Sequence, residues 1–296
     1  MLNICKEAVD LGFSVAAVVH PRSLASKYGP ILEHRINNDY DEQIAYMRRN
    51  LDKRLDPRLL FEGARSIVVC GLSSANLPFD KGTQARIASY GLCRDYHIII
   101  KELLFKLAEK LKEAYPRANF RAFVDTAPLL EKAWAVEAGL GYIGRNSLLI
   151  NKEHGTRLFL GELITDIQLP ETNLTPTTIS CNNCTACVDN CPTGAIKMDG
   201  SMDSRLCISR RTIEKQDIPY NNRELSGWIF GCELCQQVCP HNIDITKPLT
   251  PMFQLLCPAP PSKQQWLEMS TEQFNAVFKH SPLKRSGLER IKKALE

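Results

Sequence analysis

Cys181-Asn-Asn-Cys184-Thr-Ala-Cys187-Val-Asp-Asn-Cys191-Pro192 is the stretch around which the rest of this chain can be read. The spacing Cys-x2-Cys-x2-Cys-x3-Cys-Pro is the bacterial 4Fe-4S run. Three close thiolates hold three corners of one cubane, and the fourth, before proline, ligates a second cluster. A second run is therefore required, and Cys232-x2-Cys235-x3-Cys239-Pro240 supplies it one cysteine short. Cys207 lies between the two runs and is the obvious replacement. The reciprocal rule then assigns one cluster to Cys181, Cys184, Cys187 and Cys239, and the other to Cys191, Cys207, Cys232 and Cys235.

The remaining four of the twelve cysteines, Cys5, Cys70, Cys93 and Cys257, are scattered and read as small buried apolar residues. Cys93 has the most polar surroundings of the four. A disulfide framework would suit a small secreted chain, and the N-terminus shows no cleavable leader, so a cytoplasmic location with reduced thiols is expected. Zinc is the other alternative, but it usually takes two separated Cys-x2-Cys pairs rather than a run of four. At 296 residues, 44% apolar and 24% charged, the chain has the composition of an ordered globular protein with two domains, or one and an appendage. The longest apolar run, Ser14-Val-Ala-Ala-Val-Val19, is far too short to span a bilayer, so no membrane partner is expected. A net charge of +4 is compatible with a nucleic-acid partner without requiring one.

Two adjacent cubanes conduct electrons and by themselves transform nothing. The preceding residues read as mixed α and β. Ser66–Leu72 predicts a buried strand, and Asp95 caps a helix whose apolar face is Ile100, Leu103, Leu104, Leu107 and Leu111. Phe120–Val124 predicts a strand ending at Asp125. Pro128, as a first helical residue, opens a helix to about Ala138, and Leu158–Ile164 predicts a further strand. The proline and threonine content near 170–180 marks a linker. Gly139-Leu-Gly-Tyr-Ile-Gly144 matches G-x-G-x-x-G, with Glu162 at a suitable distance, yet it follows a helix and precedes an extended segment. That context inverts the dinucleotide fingerprint, and helix capping with a glycine turn against some other ligand fits better. From spacing alone, Asp125 is either a capping residue or a carboxyl acid at the mouth of a cleft.

In order, the chain carries Asp56-Pro-Arg-Leu-Leu-Phe-Glu-Gly-Ala-Arg-Ser66, Arg94-Asp-Tyr-His97 and Val124-Asp-Thr-Ala-Pro128 with Glu131-Lys132. These are followed by the glycine motif, Phe159-Leu-Gly-Glu-Leu-Ile-Thr-Asp166, the two cysteine runs with Cys207-Ile-Ser209 between them, and Ser281-Pro-Leu-Lys-Arg-Ser-Gly287. This ordered set resembles the epoxyqueuosine reductase family over roughly residues 50–245, in a short form without the C-terminal helical repeats of longer members.

The resemblance implies an α+β protein. A nitroreductase-like α/β cobalamin-binding catalytic domain (1–170) would be followed by a ferredoxin-like double 4Fe-4S domain (171–250) and a short helical basic tail (251–296), with a helix capped by Ser270 and Gln273. It implies reduction of epoxyqueuosine to queuosine at the tRNA wobble position, using cob(I)alamin fed by the two clusters and an external low-potential donor. The family's proton donor falls on Asp125. Its cobalamin contacts fall on Arg145, Asn146, Ser147, Leu149 and Ser209, although Gly144-Arg-Asn-Ser147 departs from the family's commoner Gly-Lys-His-Thr.

An acid sheltered beside an apolar corrin is expected to have a raised pKa. A splayed anticodon-loop base is expected to bring phosphates near Arg205, Arg210, Arg211 and Lys215, or near the tail residues Lys284, Arg285, Arg290, Lys292 and Lys293. His241 stands where the family usually carries an aromatic residue, and it reads as a packing or hydrogen-bonding side chain. A monomer is expected. The competing readings are a cobalamin and iron–sulfur reductase of another small molecule, as in reductive dehalogenases, and a plain electron-transfer protein.

Overall fold

The computed structural model describes residues 2–38, 48–172, 179–214 and 222–296; Lys215 and most of the 170–180 segment lie outside them. A four-stranded antiparallel sheet of order β1 (Val15–Val19), β2 (Ser66–Ser73), β7 (Leu158–Thr165) and β4 (Phe120–Phe123) forms its centre. The expected strands and their neighbours fall where the apolar runs place them.

All eight residues of β2 are buried, because helices cover both faces of the sheet. Alternation divides the strand. Val68, Cys70 and Leu72 meet the helices Ile4–Asp10 and Tyr96–Ala114, whereas Ile67 and Val69 meet Trp134 on the helix Glu131–Glu137. Asp95 caps Tyr96–Ala114 through the His97 N–H, and the predicted stripe from Ile100 to Leu111 is buried. That helix lies so close to β7 that a Cβ on Gly161 would come within 2.4 Å of the Ile100 side chain.

The helix expected from Pro128 begins instead at Glu131. Val124, Asp125 and Thr126 turn tightly first. Asp125 takes a left-handed backbone with φ 55°, the Thr126 N–H reaches the Val124 carbonyl, and the Glu131 carboxylate accepts from the Asp125 N–H at 2.5 Å. Pro128 therefore belongs to the approach and not to the first helical turn. The glycine motif closes the helix as expected. The Gly139 and Leu140 N–H groups bond back to the carbonyls of Val136 and Ala135, and the chain continues into a hairpin of β5 (Tyr142–Ile143) and β6 (Leu149–Ile150).

A further core joins distant parts of the chain. β3 (Arg86–Ile87) pairs in parallel with β8 (Trp228–Phe230), next to the second cysteine run. Trp266, Phe274, Phe278, Leu283 and Ile291 pack onto Trp228 and Phe230. The C-terminal helices are thus built into the molecule. Ser270 and Gln273 form the expected capping box, and Ser262 with Gln265 forms another. Among the described residues, no helix is long and apolar enough to cross a membrane.

Candidate functional site: two thiol sets and a cleft

The two cysteine runs come together in the fold. Cys181, Cys184, Cys187 and Cys239 together line one small cavity, with Arg145, Asn146 and His241 among its other walls. Burial raises the Cys187 and Cys239 thiols first, and neighbouring thiols of the same set raise them further. Cys207, Cys232 and Cys235 line a second, larger space, and all three feel Cys191. Among the described residues, no group of three or more His, Cys, Asp or Glu side chains converges on a single-ion site. Four thiols around one cavity suit the donor set of a cubane.

The sulfurs also receive the hydrogen bonds that tune such centres. The Arg145 N–H approaches Cys181 Sγ at 3.4 Å. Burial pushes the Cys191 thiol up, but the Thr193 hydroxyl and nearby backbone N–H groups outweigh it and leave the thiol below its ordinary value. His241 is a hydrogen-bonding residue, with Nε2 3.0 Å from Tyr142 Oη, which itself lies 3.7 Å from Cys181 Sγ.

The larger space is a cleft of about 1220 Å³ between the sheet and the cysteine-bearing segments. Its lining joins the apolar Tyr90, Tyr96, Leu158, Phe159 and Leu160 to the charged Asp125, Glu131 and Lys132. Of the predicted corrin contacts, Asn146, Ser147 and Ser209 line this cleft, as does Leu148. Arg145 and Leu149 do not. The Arg145 guanidinium is committed to the carbonyls of Cys184 at 3.0 Å and Asn182 at 2.9 Å, with Met198 as a third partner, and so clamps the hairpin to the first cysteine run. Leu149 is buried in the core against the sheet. Leu148, the residue just before β6, takes the place on the cleft that Leu149 was expected to hold. Cys93 is fully buried in the other sheet-face core and is not a wall of the cleft.

Asp125 lies at the centre of an ionic chain that sequence reading only partly anticipated. His97 Nδ1 is 2.7 Å from Asp95 Oδ1, and His97 Nε2 is 3.0 Å from Asp125 Oδ2. Tyr96 Oη donates to the same carboxylate at 3.3 Å. Arg285, expected among the phosphate-binding cations, instead brings Nη2 within 2.6 Å of His97 Nε2 and Nη1 within 3.6 Å of Asp125 Oδ2. This corrects the expected raised pKa. Burial pushes the Asp125 carboxyl up, but the His97 hydrogen bond, with Arg285 and Tyr96, more than offsets it and leaves the group below its ordinary value. The elevated acid is Glu131, carried to about 7 by burial and by the charge of Asp125.

The other expected cations are mostly engaged internally. Arg205 pairs with Asp203 at 2.7 Å, Arg211 pairs with Glu224 at 3.0 Å, and Arg210 is buried. Glu233, inside the second cysteine run, was not singled out by sequence. It accepts from the Ser89 N–H and hydroxyl at 2.7 and 2.8 Å and faces the buried Arg157 at 3.9 Å. Removing it leaves that guanidinium, still bonded to the Ser74 and Leu77 carbonyls, buried without a counter-ion. Glu233→Ala is expected to cost about 3–5 kcal/mol, read as a lower urea midpoint at unchanged slope in the cluster-loaded protein.

Two family models match the chain: the 4Fe-4S double cluster binding domain over residues 180–242, and epoxyqueuosine reductase QueG, DUF1730, over residues 54–126. An epoxyqueuosine reductase from Cyclobacterium marinum is 43% identical over 290 residues, covering 96% of this chain and 92% of its own length. The structure of epoxyqueuosine reductase from Streptococcus thermophilus superposes with a TM-score of 0.86 at 26% identity, over 99% of this chain and 78% of that one. An epoxyqueuosine reductase crystallised with a tRNA-Tyr epoxyqueuosine-modified stem loop gives 0.78 at 25% identity, with 99% and 78% covered.

Proposed function

The chain belongs to the epoxyqueuosine reductase family of oxidoreductases, and from that premise we propose how its residues reduce epoxyqueuosine to queuosine on tRNA. The observation that carries the reading is a single cleft. Asp125 and three thiols of the second set, Cys207, Cys232 and Cys235, line the same space. Residues 1–170 would serve as a nitroreductase-like cobalamin-binding unit and 171–250 as the cluster unit. Its partners would be a tRNA anticodon loop and an external low-potential donor.

Cobalamin suits the mixed walls of the cleft, with Asn146, Ser147 and Ser209 as polar contacts beside Leu148 and Phe159. When bound, it supplies the cobalt that hands on electrons received from the clusters. The protein contributes orientation, exclusion of water and protons. Lys132 Nζ donates to the Ser147 carbonyl at 2.6 Å and so ties the catalytic helix to the hairpin wall. Tyr96 stacks on Phe159 with ring centroids 4.3 Å apart and points its hydroxyl at Asp125.

Asp125, ionised at rest, passes to the departing oxygen a proton that it takes from His97. Hydrogen bonds to Asp125 and Asp95 raise the His97 pKa against burial and the Arg285 cation, so the imidazole can hold that proton. The exposed half of the Asp125 side chain keeps it within reach of a base entering from outside. Expression in a bacterial strain lacking its own reductase tests the reading. Queuosine should reappear in digested tRNA, and persistence of epoxyqueuosine with soluble, cluster-loaded protein would refute it.

A further inference from the structure

Glu162 is a charged residue type in the middle of an apolar strand. It is fully buried, it lies on the face of β7 shared with Leu160 and Ile164, and neither carboxylate oxygen has a hydrogen-bond donor. A lone buried carboxylate of this kind is costly, by several kcal/mol. Its neighbour is another carboxyl group. Glu131, one turn before Trp134 on the helix packed over this face, is the side chain with which Glu162 interacts. Two carboxyl groups in one dry site cannot both ionise, so they retain a proton between them.

Glu131 connects this pair to the cleft. It forms part of the cleft wall beside Asp125, and its Oε1 takes the Asp125 N–H at 2.5 Å. That bond holds the left-handed turn that aims Asp125. Opening the epoxide to the alkene breaks both C–O bonds, forms the C=C bond, and releases the ring oxygen as water. The balance is two electrons, supplied through the clusters, and two protons. Asp125 and His97 account for one proton in transit, and the second needs a source that stays protonated at neutral pH.

We propose that Glu131 and Glu162 form a shared-proton carboxyl pair that stores the second proton of the reaction and passes it to the cleft by way of Asp125. The proposal rests on the functional reading above and extends it. Both glutamates are positioning residues, since Asp125 is the group that meets the substrate.

The charged and titratable groups facing the pair come from every element packed on it. They are Asp125 from the loop after β4, Tyr96 and His97 from the start of Tyr96–Ala114, Lys132 on the same helix, and Cys70 from β2. Burial and Asp125 raise Glu131 to about 7, with His97 and Lys132 opposing. Burial and then Glu131 raise Glu162 well above the usual carboxylate range. The folded protein therefore binds more protons here than the unfolded chain from about pH 4.5 upward, and stability falls as pH rises through the titration of Glu131 near 7 and on toward that of Glu162. The shared proton held by Glu162 outlasts the ionisation of Glu131, and its loss at higher pH empties the store, so turnover falls on the alkaline side.

Glu162→Gln keeps the shape and replaces the shared proton with an amide donor, which stabilises ionised Glu131. Infrared titration of the cluster-loaded chain without substrate should show a protonated-carboxyl band that persists above pH 8 in the parent protein and is missing in E162Q. In E162Q the alkaline limb of the kcat profile should move to lower pH, with turnover at pH 8 down at least tenfold (roughly the lower range for a lost proton donor) and KM for tRNA unchanged. Absence of the band in the parent protein, or superimposable pH profiles, overturns the proposal. The infrared result is independent of turnover. A chain that shows the band but leaves epoxyqueuosine intact would therefore refute the functional reading and leave the pair standing.

Discussion

Asp125→Asn is expected to cut the conversion of epoxyqueuosine by roughly 10²–10⁴-fold, the range for loss of a positioned proton donor, while clusters and bound cobalamin stay at parental levels. Asparagine keeps the side-chain shape in the φ 55° turn, a backbone conformation that it tolerates well. It can still accept from Tyr96 but carries no transferable proton. The change also removes the anion that raises His97, so the imidazolium behind Asp125 becomes less populated at neutral pH. Anaerobic single-turnover assays read the first effect, and the spectrum of the loaded protein checks the second condition. Full activity in D125N would remove Asp125 from the mechanism.

The second large effect concerns the thiols. Under reciprocal ligation, Cys191 and Cys207 hold the same cubane. The double substitution Cys191→Ala with Cys207→Ala should then leave one cluster, with iron falling from about eight to about four per chain. If each run kept its own fourth cysteine, the same double variant would lose both clusters. Pairing Cys239→Ala with Cys207→Ala gives the opposite pattern, with both clusters lost under reciprocal ligation. Iron analysis and low-temperature electron paramagnetic resonance of the reduced protein distinguish the two schemes. Turnover should be abolished in every case, because the electron path needs both cubanes.

The parts of this molecule that were legible in its sequence were those governed by short-range rules. The fixed thiol spacing was legible, and the fold puts Cys239 of the second run on one cavity with Cys181, Cys184 and Cys187 of the first. The stripe from Ile100 to Leu111 could only be a helix against a sheet. Helix capping by Gly139 followed from the order helix, glycine, strand. The residues that elude such reading are those whose roles depend on distant partners. Pro128 signalled a helix start, but the reach of Glu131 back to the Asp125 N–H moved the start by a turn. Arg285 looked like one cation of a basic tail until the fold laid it on His97, 188 residues away. Glu162 carried the one usable signal, a lone carboxyl in an apolar strand, and sequence reading noted it only for its distance from the glycines. Leu148 rather than Leu149 reached the cleft because which of two adjacent leucines at the entry to β6 turns inward is set by packing against the sheet core.

The most direct test of the account is a reconstituted reaction. The chain is loaded with iron and sulfide, supplied with a low-potential reductant, and given an epoxyqueuosine-containing tRNA stem loop with and without cobalamin. Nucleoside analysis should show queuosine forming only when cobalamin is present. Queuosine formation without cobalamin, or intact epoxyqueuosine in a protein that holds both clusters and the corrin, would contradict the account.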